Sequence, residues 1–262
     1  MQTLAHIKLG INKKVYFASD FHLGIPNAEK SLEREKKIVK WLNDIEHDAE
    51  HIFLVGDIFD FWFEYKTVVP RGYTRLLGKI ATLADKGINI HYFTGNHDMW
   101  TFGYLEKELG VKLYRNPVEV TINQHSFLVG HGDGLGPGDN GYKFIKKVFA
   151  SPVSQWLFAR LHPNFGIALA DFWSRRSRLA NGPVDEVFLG EDKEWLVIYC
   201  REVLQKKHYN FFIFGHRHLL LDIPLQSNSR YINLGDWFKE PHVAVYDGQT
   251  LQLKKLKDET LS

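Results

Sequence analysis

Five short apolar runs in this chain each stop at a small cluster of carboxylate, imidazole or amide side chains. The clearest is Ile88-Asn89-Ile90-His91-Tyr92-Phe93-Thr94, which is followed by Gly95-Asn96-His97-Asp98. The run is rich in β-branched and aromatic residues and reads as a buried strand. Glycine lets the backbone turn sharply just past it. The turn then presents an amide, an imidazole and a carboxylate at the strand's carboxyl end, where open α/β sheets bind ligands. The other four clusters are Asp20-Phe21-His22, Gly56-Asp57, Gly130-His131-Gly132-Asp133 and Gly215-His216-Arg217-His218. One polar turn is commonly only a turn. Five in order, each at the end of its own apolar run, constrain the fold to one that gathers strand ends.

The order of elements supports an α/β fold. A strand over Lys14-Val15-Tyr16-Phe17-Ala18-Ser19 ends at Asp20, and Gly24-Ile25-Pro26-Asn27 makes a turn. Leu32, Ile38, Val39, Leu42 and Ile45 then recur at roughly helical spacing among lysines and glutamates. A second strand, His51 to Val55, ends at Gly56-Asp57, and a second helix runs from about Thr74 to Asp85. With the strand before Gly95 this gives βαβαβ, hence parallel strands joined by helical crossovers. Beyond Asn116-Pro117, Val118 to Ile122 and Ser126 to Val129 read as a β-hairpin. Later strands are Phe211 to Phe214, Tyr231 to Leu234 and Val243 to Tyr246; the last two flank Gly235-Asp236-Trp237 and are expected to form a closing antiparallel pair.

The stretch 134–182 follows neither pattern. It opens on the hinge-like Gly134-Leu135-Gly136-Pro137-Gly138 and carries Phe144, Phe149, Trp156, Phe158, Phe165, Phe172 and Trp173. Lys143, Lys146, Lys147, Arg160, Arg175, Arg176 and Arg178 outweigh Asp139 and Asp171, so the stretch is net +5 within a chain whose total is +2. A basic, aromatic, helical insertion that begins three residues after His131 is expected to cap the site; the plainer alternative is a helical hairpin packed on the core. The remaining composition excludes more than it selects. The small net charge supplies no reason to expect nucleic acid as a partner. The lone Cys200 permits no internal disulfide and is expected in the core. No apolar run reaches the roughly 18–20 residues of a membrane span, and no signal peptide is expected.

The chemistry-bearing residues at the five clusters are Asp20, His22, Asp57, Asn96, His131, His216 and His218. All offer oxygen or imidazole nitrogen and none offers thiolate, which suits manganese, iron, zinc or magnesium and not a cysteine-rich structural zinc site. The i,i+2 pairs Asp20/His22 and His216/His218 would each share one face of an extended strand end. The set is too large for one tetrahedral ion and suits two ions with a bridging carboxylate, an arrangement used for attack on phosphorus. Of the 13 histidines, His47, His51, His208 and His242 are read as surface or hydrogen-bonded residues.

Taken together, Asp-x-His, Gly-Asp, Gly-Asn-His-Asp, Gly-His and Gly-His-x-His resemble the signature of calcineurin-like metallophosphoesterases, from Asp20 to His218. The resemblance implies a single domain over 1–262, an αββα sandwich of two mixed sheets with 134–182 as a helical lid inserted in it. It also implies two divalent metal ions, manganese first, with iron, zinc or magnesium as alternatives. One ion would take Asp20, His22, Asp57 and His218; the other would take Asp57, Asn96, His131 and His216, with Asp57 as the bridge. His97 would face the substrate phosphate and assist the leaving group, and Asp60 would orient it. Physically, a buried carboxylate favours a charged imidazole that donates to developing negative charge.

A narrower resemblance rests on His131-Gly132-Asp133, Asp139-Asn140-Gly141-Tyr142, Arg176-Ser177-Arg178 and Leu234-Gly235-Asp236-Trp237. These look like the UDP-2,3-diacylglucosamine diphosphatases of lipid A synthesis, whose helical lid holds two acyl chains. The chain departs from their best-known members at His97, where they carry arginine. That resemblance implies Asn96, Tyr142, Arg176 and Arg178 as substrate-binding residues and a lipid-linked nucleotide as substrate. It further implies a cytoplasmic protein in peripheral contact with the inner membrane. The alternatives are a phosphodiesterase or phosphatase for another nucleotide or phosphate ester, and a non-catalytic scaffold of the same fold. Missing ligands would mark the scaffold, and none is missing.

Overall fold

The computed structural model describes residues 2–4, 6–138, 140–185 and 187–256, with the side chains of residues 171, 175 and 177–185 outside that description. Its strands are β1 (Gln2–Thr3), β2 (Lys14–Ala18), β3 (Ala49–Val55), β4 (Asn89–Phe93), β5 (Lys112–Tyr114), β6 (Val118–Ile122), β7 (His125–Val129), β8 (Phe211–Phe214), β9 (Leu220–Pro224), β10 (Arg230–Leu234), β11 (His242–Tyr246) and β12 (Leu251–Lys255). Its helices are α1 (Ala28–Ile45), α2 (Thr74–Asp85), α3 (Tyr104–Leu109), α4 (Asn140–Ala150), α5 (Pro152–Phe158), α6 (Pro163–Asp185) and α7 (Trp195–Leu204).

The strands form two mixed six-stranded sheets, one in the order β1-β6-β7-β8-β10-β9 and the other β12-β11-β2-β3-β4-β5. β2, β3, β4 and β5 run parallel, as the βαβαβ pattern predicts. Strands of this kind are covered on both faces, which is why they read as nearly continuous apolar runs. Phe17, Phe53, Val55 and Phe93 of one sheet meet Val118, Phe127, Ile213 and Ile232 of the other in the layer between them. On the outer face of the β2–β5 sheet, Ile38, Leu42, Leu76 and Leu83 of α1 and α2 cover Ile52, Leu54 and Tyr92. On the outer face of the other, α7 packs Leu196 and Cys200 against Phe212 and Phe214. The result is the expected αββα sandwich, with Cys200 in its core.

The expected antiparallel pairing of the last two strands is overturned. β10 lies beside β8 and β9, whereas β11 pairs with β2 and β12 in the other sheet. The connection crosses between sheets because its middle is anchored elsewhere. Trp237 is buried against Phe21, ring centroids 4.7 Å apart, and Asp236 accepts hydrogen bonds from the backbone of Phe238 and Lys239.

Helices α4, α5 and α6 occupy most of the stretch 134–182, and no residue of α4 or α5 is buried. They touch the body through Phe158, whose ring lies 4.7 Å from both Phe63 and Trp100, and through Trp100 Nε1, which donates to the Phe149 carbonyl at 2.8 Å.

Candidate metal centre

Each predicted cluster follows a strand: Asp20 and His22 follow β2, Asp57 follows β3, Asn96 and His97 follow β4, His131 follows β7, and His216 and His218 follow β8. β2, β3 and β4 are neighbours in one sheet and β7 and β8 in the other, so the packed edges bring all five clusters together. The loops are laced to one another, with Asp20 N donating to Gly56 O at 3.1 Å and His22 N to Asp57 O at 2.9 Å. The extended-strand argument for the i,i+2 pairs does not hold. Asp20, His22, Asp57, His216 and His218 have φ of 55°, 43°, 52°, 69° and 51°, the left-handed region. Non-glycine residues held there are strained, and such strain collects at functional sites. Convergence comes from sharp local turns instead of the pleat.

Gly95 does not supply a left-handed turn. It supplies space: a Cβ there would lie 2.1 Å from Asp57 Oδ1. Gly215 has the same role on the opposite side, where a Cβ would lie 2.3 Å from Asp20 Oδ2.

Two groups of ligand atoms result, Asp20/His22/His218 and Asp57/His131/His216, each within 4.8 Å of one another. His22 Nε2 and His218 Nε2 are 3.0 Å apart. Asp57 Oδ2 stands between the groups, 3.1 Å from His131 Nε2 and 3.7 Å from His22 Nε2. The Asn96 turn is held over Asp57, because His97 N donates to Asp57 Oδ1 at 2.9 Å. A third group, His22/Asp60/His97, adjoins them. His97 Nδ1 donates to the backbone carbonyl of Asp60 at 2.9 Å; the Asp60 carboxylate is 3.7 Å from that nitrogen and 3.3 Å from His22 Nδ1.

Burial alone would raise the Asp20 and Asp57 carboxyls. The imidazoles around them, His218 and His22 at Asp20 and chiefly His131 at Asp57, hold both well below the usual range. Burial alone would likewise lower His131 and His22, yet Asp57 lifts His131 to about 10 and Asp20 with Asp60 lifts His22 to about 9. His216 goes the other way, lowered to about 4 by burial and then by His131. The pocket therefore contains two buried anions that draw positive charge toward them.

The donors fit a pair of divalent ions. Asn96 Oδ1 and His131 Nε2 are buried and make no hydrogen bond in the structure, although the latter is near Asp57. His131 Nδ1 donates to Val55 O at 2.9 Å, which leaves Nε2 as the nitrogen that could hold an ion. All the donors are oxygen or imidazole nitrogen, without thiolate.

Several supporting residues escape sequence reading. Asp98, the last residue of the first cluster, faces inward and accepts from Gly95 N, Ile58 N and Tyr92 Oη at 2.7, 2.9 and 2.6 Å. Arg34 of α1 is buried and donates to the carbonyls of Phe21, His22 and Ile25 at 2.6–2.7 Å, pinning the first loop. Arg217, between two predicted ligands, forms a two-pronged bond with buried Glu194 and lies 4.1 Å from the Trp195 ring. Among lysines and glutamates Arg34 looks like a surface residue, so no sequence signal marks it. For Arg217 the signal is its place between His216 and His218. Of the predicted substrate-binding residues, Tyr142 donates to Asp133 Oδ2 at 2.8 Å and its ring lies 6.0 Å from that of His216. Arg176 is exposed, and the side chain of Arg178 lies outside the description.

The profile of the family described as calcineurin-like phosphoesterase matches residues 13–220. A protein named UDP-2,3-diacylglucosamine hydrolase from Porphyromonas gingivalis is 38% identical over 260 residues, 95% of this chain and 99% of that one. Proteins of the same name from Aeromonas salmonicida and Haemophilus influenzae are each 25% identical; they cover 87% of this chain and 88% and 92% of their own length, respectively. With the two-sheet sandwich and the paired donor groups at its strand ends, these matches make the chain a member of the calcineurin-like phosphoesterase family.

Proposed function

We propose that this protein hydrolyses the diphosphate of UDP-2,3-diacylglucosamine, yielding 2,3-diacylglucosamine 1-phosphate and UMP, at the cytoplasmic face of the membrane. The observation that carries this reading is the 38% identity, over 95% of the chain, to a relative named for that hydrolysis. The insertion supports it, because Phe144, Val153, Trp156, Leu157, Phe165, Phe172 and Trp173 are all more than half exposed beside a site built for phosphate. Acyl chains supply the apolar partner such side chains lack.

Asp20, His22, Asp57 and His218 hold one ion, Asp57, Asn96, His131 and His216 the other, and manganese is the metal we expect. When bound, the pair supplies Lewis acidity toward phosphoryl oxygen and an activated water. His97 acts on the leaving oxygen. A carbonyl only accepts, so His97 Nδ1 carries the hydrogen given to Asp60 O. To donate at Nε2 as well the ring must be charged, a state the Asp60 carboxylate 3.7 Å away favours. Tyr142, Arg176 and Arg178 meet the substrate from the lid side.

Turnover of UDP-2,3-diacylglucosamine and of its deacylated counterpart tests the assignment. Each buried acyl CH₂ contributes about 0.8 kcal/mol, so the deacylated compound is expected to be a far poorer substrate. Equal efficiency on both would remove the lipid substrate and leave the phosphoesterase.

A further inference from the structure

Helix α4 is inside out. Lys143, Lys146 and Lys147, spaced i, i+3 and i+4, share the face turned to a cavity of about 380 Å³ between α4 and the body. Phe144, Ile145 and Val148, on the other face, are 68%, 49% and 40% exposed. A surface helix normally buries its apolar stripe and exposes its charges. The inversion calls for something anionic beneath α4 and something apolar above it.

The cavity shares His131 with the metal centre and takes Arg115 and Asn116 from the loop after β5. Its four cationic side chains face a single acid, Asp133. Some of that charge anchors the helix: Lys146 pairs with Asp133 at 2.6 Å and Lys143 donates to Gly136 O at 2.5 Å. Arg115 gives one N–H to Met99 O at 3.0 Å and another to Thr101 O. A guanidinium has five N–H donors. An excess of cationic charge therefore remains over Asp133. Pro117 and Leu135 add apolar wall. The volume falls in the range of small-molecule sites and is too small for two long acyl chains.

We propose that this cleft is the subsite for the nucleotide half of the substrate, with Arg115 and Lys147 recognising its phosphate and the apolar wall with Asn116 receiving the pyrimidine. The inference rests on the hydrolysis of a lipid-linked nucleotide proposed above and adds which flank takes which half. The nucleotide lies under α4, on the His131 side. The acyl chains lie against the outward apolar faces.

Calorimetry on the manganese-loaded protein with UMP, uridine and inorganic phosphate tests this. UMP is expected to bind at least about tenfold more tightly than either fragment. The Arg115→Ala/Lys147→Ala variant is expected to lose about tenfold on UMP, the size of one charged hydrogen bond, and to keep its affinity for uridine. Lys147→Ala alone, at an exposed position, carries the same test if loss of Arg115 disturbs its loop. UMP binding no tighter than phosphate, or UMP affinity unchanged in the variants, overturns the subsite. The measurement needs no turnover. Failure to cleave UDP-2,3-diacylglucosamine with the UMP preference intact would instead sink the proposed reaction.

Discussion

Asp57 lies 3.1 Å from His131 Nε2 on one side and 3.7 Å from His22 Nε2 on the other, so a change there reaches both donor groups. The Asp20 carboxylate lies beside the two imidazoles of one group, His22 and His218, at 3.7 and 3.3 Å. Metal analysis of protein purified with manganese and without chelator is therefore expected to find two ions in the native chain. About half should remain in Asp20→Asn and little in Asp57→Asn; one ion or none in the native chain contradicts the paired centre. His97 stands to one side, its ring hydrogen-bonded to the Asp60 carbonyl. His97→Ala is expected to keep both ions and lose roughly 10²–10⁴-fold in turnover, the usual share of a general acid. Unchanged turnover on a substrate with a poor leaving group would show that its proton is not used.

Among the strands, a buried histidine gives the fold a pH dependence unrelated to the metals. His91 of β4 is 1% exposed, its ring 4.2 Å from that of Phe53, with His51 Nδ1 3.0 Å and Tyr114 Oη 3.2 Å from its nitrogens. Burial, followed by His51 and Lys112, lowers its pKa to about 3. The unfolded chain takes up this proton near pH 6.5 and the folded one does not, so stability falls between those values as pH drops. Chelator-treated His91→Phe is expected to lose up to about 1.4 kcal/mol per pH unit less than the native chain over that window, read from urea unfolding. Parallel slopes for the two proteins would mean that His91 is protonated while folded. The same strands explain what is legible in the sequence. β8 is a continuous apolar run, and β3 and β4 nearly so, because both faces are covered, and the helix Thr74–Asp85 has its observed limits. The site is legible as an order of polar clusters along the chain but not as a geometry, since the left-handed turns at Asp20, Asp57 and His216 leave no trace in residue type. β9, a mostly exposed edge strand that ends in proline, and β12, an edge strand that ends in two lysines, give no clear signal. The crossing of the chain between sheets at Trp237 depends on long-range contacts with Phe21 and Trp41, which no local pattern announces.

At the scale of the whole molecule, the sandwich hides its apolar surface and the insertion displays it. No helix among the described residues is long and apolar enough to cross a membrane. Yet α4, α5 and α6 carry Phe144, Trp156, Phe165 and Trp173 at 68%, 56%, 59% and 59% exposure. Arg160 lies 4.8 Å from the Trp156 ring, a pairing of cation and indole suited to the boundary between headgroups and acyl chains. Helices of this kind bind membranes by apolar burial together with attraction to anionic lipid. Each basic residue near an anionic surface adds about 1 kcal/mol, and salt screens that part alone. The protein is therefore expected to float with anionic liposomes at low salt and to be partly released at high salt. Trp156→Ser/Phe165→Ser should reduce recovery at both. An unchanged distribution with and without liposomes at low salt would leave the exposed faces to the substrate's acyl chains alone.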